Sequence, residues 1–154
     1  MPCHTAIAKQ NITSSPNDSV EKVLKDIKKA KVLASAIIDD DSGEFLGLFS
    51  MKVMLKALIP VSVHVADGVE IDIKVTAAPG VAKRLGNVKT LPVSELMDRK
   101  AETVMPDTPM WEGISLLVKK GAPLSVVDNN GKFRGFISYE SLVSNLENIQ
   151  SADS

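Results

Sequence analysis

Cysteine occurs once in the 154 residues, at Cys3, and histidine only twice, at His4 and His64. A lone thiol near the start can build no disulfide framework, so the fold rests on packing and a reducing compartment is permitted. Neither histidine has a cysteine, an aspartate or the other histidine at metal-ligand spacing, which argues against zinc. Phosphate-binding glycine loops, zinc-protease helices and nucleophile elbows are all missing. With the usual catalytic groups so scarce, the chain is expected not to be an enzyme. Long apolar runs are missing too. The opening MPCHTAIAKQ has no basic stretch followed by an apolar one. No segment approaches the roughly 18 apolar residues that a membrane span needs. A soluble, cytoplasmic protein is expected. A formal net charge of -1 leaves little for a dedicated nucleic-acid or membrane surface. Lys22, Lys25, Lys28, Lys29 and Lys31 do gather, but opposite Val20, Val23, Leu24 and Ile27 they read as the solvated side of a helix.

What the chain does have is one pattern written twice. Pro16, then Val20, Val23, Leu24 and Ile27, then Ile37-Ile38-Asp39, Gly43-x-Phe45-x-Gly47 and Ser50, returns as a second ordered series. That series is Pro106, then Met110, Gly113, Ile114 and Leu117, then Val126-Val127-Asp128, Gly131-x-Phe133-x-Gly135 and Ser138. The offset is 90 at the proline (106 minus 16) and 89 at the aspartate (128 minus 39), so a single residue has been gained or lost inside the unit. Two copies at this period are too few and too long for a solenoid of roughly 20–50-residue repeats. They read as two pseudo-symmetric half-domains that fold separately and pack together, with a ligand cleft between them.

Within a copy the spacing predicts an extended arm, a helix, two strands and a closing helix. The first helix is expected over about 19–30, opened by Asp18 with Glu21 in a capping box, and its counterpart over about 109–120, with Thr108 as N-cap and Gly121 as stop. Gly43 and Gly131 take the positive φ of the hairpin turns, and Ser50 and Ser138 open the closing helices. Asp39, Asp40 and Asp41 fail as an EF-hand loop, because the slots for its glycine and bidentate glutamate hold Glu44 and Ser50. The organisation expected is a first unit over 1–59, a connector over 60–93, a second unit over 94–149 and a tail over 150–154. In the connector, Val61, Val63 and Val65 alternate, Asp67-Gly68 turns, and Val69, Ile71 and Ile73 alternate again, which predicts a hairpin followed by a helical turn near 80–85. Both a fold-stabilising flap and a partner-specific surface fit it.

Thr103-Val104-x-Pro106, Gly121-x-Pro123, Val126-Val127-Asp128-x-x-Gly131, Gly135-Phe136-Ile137-Ser138 and Leu142 together resemble the CBS-domain family, named for cystathionine beta-synthase. The resemblance covers about 94–147 closely and about 7–58 more loosely. It implies an α/β (α+β) fold of two CBS half-domains, each a small three-stranded sheet with two helices. It also implies a Bateman module: a non-catalytic tandem pair that senses adenosyl ligands such as AMP, ATP or S-adenosylmethionine, signals to a protein partner and joins through its helices into dimeric discs. On the family pattern Ser50 and Ser138 are phosphate-side hydroxyls at helix starts, where an anion is favoured. The ribose positions, aspartate in the family, are Val53 and Ser141 here. The site expected to survive is the one served by the second copy, with adenine against Thr103, Val104 and Met105 and a wall of Ala122, Pro123 and Val126. Capping alone also accounts for the two serines, and core packing for the wall. The alternative function is a ligand-free dimeric scaffold with a degenerate nucleotide site.

The helix near 109–120 carries one apolar stripe at Met110, Ile114 and Leu117 and another at Trp111 and Val118, more than a single core needs. From Met51 to Ile59 only Lys52 and Lys56 are charged. A homodimer through these helices is expected, the other candidate for covering them being the rest of the same chain.

Overall fold

The computed structural model describes residues 1–59 and 78–153; the hairpin expected from 61 to 73 lies outside them. The first copy runs β1 (Ile12–Ser14), α1 (Val20–Ala30), β2 (Ala34–Ile38), β3 (Phe45–Ser50) and α2 (Met51–Leu58). Helix α3 (Ala78–Lys89) precedes the second copy, which runs β4 (Thr103–Val104), α4 (Met110–Lys120), β5 (Leu124–Val127), β6 (Phe133–Ile137) and α5 (Tyr139–Asp153). Each copy has a three-stranded sheet, ordered β1-β2-β3 or β4-β5-β6, in which the first pair is parallel and the second antiparallel. The expected fold class, two half-domains of three strands and two helices, is what the chain adopts.

Local chemistry sets the element ends. The Ser19 hydroxyl, not Asp18 as expected, caps α1 by accepting the Lys22 N–H at 3.1 Å, because the Asp18 carboxylate is taken by the Ser15 N–H. Thr108 does not cap α4 either. Its hydroxyl accepts the Met105 N–H at 3.0 Å, and Pro109, which has no side-chain acceptor, takes the N-cap place. Glycines do sit where the turns demand a positive φ, at 74° for Gly43, 79° for Gly131 and 88° for Gly121. The helix expected near 80–85 is longer, because Val81, Leu85 and Val88 form a face that packs on the first core.

Val20, Val23, Leu24 and Ile27 of α1 pack on Ile37 and Phe49 of the first sheet; Leu117, Leu124, Val126 and Ile137 do the same in the second copy. Neither core is complete on its own. Cys3 and Ala6 belong to the second core, and Val93 and Met97, which lead into the second copy's strands, belong to the first. The two halves therefore do not have separate, self-contained cores, and residues 1–11 pack on the second copy rather than the first. Ala8 donates to Phe136 O at 2.8 Å, and Asp98 and Leu48 exchange both backbone bonds, at 2.8 and 3.1 Å. These are equivalent crossings, since Ala8 and Asp98 stand 90 apart (98 minus 8) in the repeat. A glycine admits each crossing strand. A Cβ on Gly47 would lie 2.5 Å from Asp98 O, and one on Gly135 would collide with Ile7.

Candidate functional site

The crossing builds a cavity of about 900 Å³ between the copies. One wall is the segment from Ile7 to Asn11, a second the turn from Lys31 to Ala34 between α1 and β2, and a third the start of α5 from Ser138 onward. Lys31 reaches it because it ends α1 in the left-handed region, φ 56° and ψ 42°, which swings the chain into β2. Asn11 fixes the first wall: its Nδ2 donates to Ala8 O at 2.8 Å and its Oδ1 accepts the Phe136 N–H at 2.9 Å. The amide thus stands in for the second backbone bond that Asp98 makes directly in the other crossing.

At the third wall Ser138 and Ser141 cap one another. Ser138 Oγ accepts the Ser141 N–H at 3.0 Å, and Ser141 Oγ accepts the Ser138 N–H at 2.9 Å. The Ser141 hydroxyl hydrogen goes to Ser138 O at 3.2 Å, which leaves one lone pair for anything else. Lys9 and Lys31 supply positive charge to the lining and Glu140 the opposite sign. Ile7, Val32, Leu33 and Pro123 make its apolar part. Cations, an α-helix start and a flat apolar wall can together accept an anion attached to a ring.

The residues singled out from the sequence do not converge on one place. Pro123, Ser138 and Ser141 line the large cavity. Thr103, Val104 and Met105 instead line a separate hollow of about 340 Å³, beside Glu112, Leu116 and Asp128. Val126 is fully buried and Ala122 packs against the same second core. Ser50 caps α2 through the Val53 N–H at 3.2 Å and lines neither space. Exchange of the leading segments is the reason: the serine pair of the second copy faces the wall of the first, so 7–11 and 31–33 occupy the place expected for 103–105. The sequence signal for those residues was their equivalence to 98–101 and 121–123 in the repeat, which does not say which copy faces which.

Among the described residues no group of three or more His, Cys, Asp or Glu side chains is placed to hold a metal ion. None of their helices is long and apolar enough to cross a membrane. Cys3 is fully buried, and burial pushes its thiol pKa up against the opposing hydrogen bond from Gly113.

The sequence matches the CBS domain over residues 6–60 and again over 93–148. No curated protein matches it. Among solved structures, the CBS-pair protein CBSX2 from Arabidopsis thaliana is 21% identical, with a TM-score of 0.71 over 97% of this chain and 96% of that one. CBSX2 in complex with AMP gives 20% identity and a TM-score of 0.70, over 97% and 98%. Protein MJ1004 from Mathanocaldococcus jannaschii gives 17% and 0.68, over 96% of this chain but only 60% of that longer one.

Proposed function

Because the chain belongs to the CBS-domain family and carries that domain twice, we propose that it takes an adenosyl-type ligand of the AMP or ATP class between its copies. As a non-catalytic, cytoplasmic regulatory module it then passes the change to a protein partner. The observation that carries this reading is the cavity of about 900 Å³ whose lining brings together the Ser138 helix start, Lys9 and Lys31, and apolar side chains. Phosphate belongs at Ser138 with the two lysines, the base against Pro123, Val32 and Leu33, and the ribose beside Ser141. The AMP complex of CBSX2, of like fold, supports the ligand class. Ser50 holds the place equivalent to Ser138 in the repeat and lines no such cavity, so the reading rests on the second copy's serine pair.

The partner surface in this reading is helical. Trp111 and Val118 of α4 are 69% and 78% exposed, and Met51, Leu55 and Ile59 are exposed at α2. A second copy of the chain covers these faces in a homodimer.

A second reading, a scaffold without a ligand, is favoured by one observation: the Ser141 hydroxyl has already given its hydrogen to Ser138 O, and its counterpart is Val53. Calorimetry with AMP, ADP, ATP and S-adenosylmethionine separates the two. Saturable binding of any of them at up to millimolar concentration supports the sensor; flat isotherms with all four leave the scaffold.

A further inference from the structure

One stretch of backbone, residues 1–11, touches both the large cavity and the first turn of α4. At its cavity end Ile7 to Asn11 form a wall, held by the Ala8 bond to Phe136 and by the Asn11 amide. Midway, Thr5 Oγ1 accepts from Asn145 Nδ2 of α5 at 3.2 Å. At the other end the segment completes a helix that cannot complete itself. Pro109 offers α4 no side-chain cap, and the Met110 N–H is taken instead by Met1 O at 2.8 Å. The N–H groups of Cys3 and His4 bond to Thr108 O and Pro106 O at 2.8 and 2.9 Å. Cys3 lies so tightly on α4 that a Cβ at Gly113 would come within 2.8 Å of its Sγ. That helix is the one whose outer side presents Trp111.

We propose that residues 1–11 are a strap coupling the cavity to the Trp111 side of α4. An occupant that holds Ile7 to Asn11 against α5 also holds Met1 to Cys3 on the α4 start, and release of one end loosens the other. Only its trigger rests on the ligand reading above. Linkage makes the coupling reciprocal, so a change that loosens the strap at Cys3 weakens the occupant by the factor by which the docked population falls.

Cys3 is a built-in reporter, since a fully buried thiol reacts only when its segment opens. The test measures its rate of reaction with 5,5′-dithiobis(2-nitrobenzoate) under native conditions, beside calorimetry with AMP. If AMP binds only the docked strap, AMP at nine times Kd slows the reaction about tenfold. Gly113→Ala, which wedges the strap off α4, speeds the reaction, and AMP weakens only as far as the docked population falls. Asn11→Ala needs no ligand: cutting the amide bridge at the cavity end speeds the reaction of Cys3 at the far end. Circular dichroism checks that each variant folds, and Asn11→Asp, which keeps the acceptor for Phe136 and loses the donor to Ala8, replaces Asn11→Ala if it does not. AMP binding without any slowing of Cys3 overturns the proposal. So does an unchanged Cys3 rate in the folded Asn11 variant, whether or not AMP binds. If AMP fails to bind while the Asn11 variant reacts faster, the ligand reading falls and the strap stands.

Discussion

Phe45 and Phe133 stack with ring centroids 5.7 Å apart and planes 16° from parallel, and they are the same position in the two copies (133 minus 45 is 88, as 138 minus 50 is). The pseudo-twofold axis therefore passes beside this pair. Around it Glu44 bridges Lys132, Phe45 donates to Gly131 O at 2.8 Å, and the Lys132 ammonium donates to Ser42 O. Phe133 also meets Phe136 of its own strand edge-on at 4.7 Å, so it has one ring contact across the copies and one within its own. A double-mutant cycle on Phe45→Ala and Phe133→Ala should give a coupling of about 0.5–1.5 kcal/mol in urea denaturation. Phe133→Ala should be the more destabilising single change, because it loses both ring contacts.

Two buried serines at equivalent positions make opposite predictions. Ser35 is bonded to Ser14 at 2.6 Å, whereas Ser125, 90 residues on (125 minus 35), has no partner for its hydroxyl among the described residues, because Val104 stands where the first copy has Ser14. Ser35→Ala should destabilise by about 1–3 kcal/mol, since it orphans Ser14. Ser125→Ala removes an unpaired buried hydroxyl and should stabilise by about 1 kcal/mol. Urea midpoints at constant slope decide both.

Ser141→Asp tests the ribose position. The carboxylate can accept the Ser138 N–H as Ser141 does now, and beside the α5 start it should add about 0.3–1 kcal/mol without any ligand. With AMP present the melting temperature should rise further, because charge-assisted bonds to a cis-diol contribute about 1.5–3 kcal/mol, roughly ten- to a hundredfold in affinity. Val53→Asp should instead lower stability, since Val53 packs against the first core. Thermal shifts with and without AMP separate the two contributions.

Trp111→Glu should convert a dimer to monomers in sedimentation while leaving the fold intact, because the side chain it replaces is 69% exposed in the protomer. An unchanged dimer after that substitution removes α4 from the interface.

The turn at Asp39 should be sensitive to acid. The Ser42 and Asp41 N–H groups donate to its carboxylate and hold its pKa below the ordinary 3.8. A carboxyl depressed in the folded state contributes stability that is fully present above the unfolded value and disappears as the pH falls through the folded one. The stability difference between the parent and Asp39→Ala should therefore be constant near neutrality and shrink below about pH 4 in denaturant titrations.

Most of what depended on neighbours in sequence was legible in advance, the caps of α1 and α4 excepted. The order of elements, the turn glycines Gly43 and Gly131, and the caps Ser50 and Ser138 all follow from chemistry within a few residues. Helix α3, expected as a turn near 80–85, runs from Ala78 to Lys89 despite Pro79, Gly80 and Gly86. Pro79 falls in its first turn, where a missing N–H costs nothing, and Gly86 faces open space. Family membership, too, was carried by residues that recur at fixed spacing. The walls of the candidate site were not legible, because the bond from Ala8 to Phe136 spans 128 residues (136 minus 8) and leaves no local periodicity.

The exchange of leading segments also decides what could be transplanted from this protein. Residues 12–59 leave their core open without Val93 and Met97, and 102–149 leave theirs open without Cys3 and Ala6. A gene fragment cut at the repeat boundary therefore encodes parts of two cores and the whole of neither. The smallest interchangeable piece is discontinuous, 12–59 together with 78–98, or 1–11 together with 102–149. Recombination between relatives that respects the repeat in the DNA breaks the folding unit, so each copy and the distant segment that completes it are inherited together or lost together.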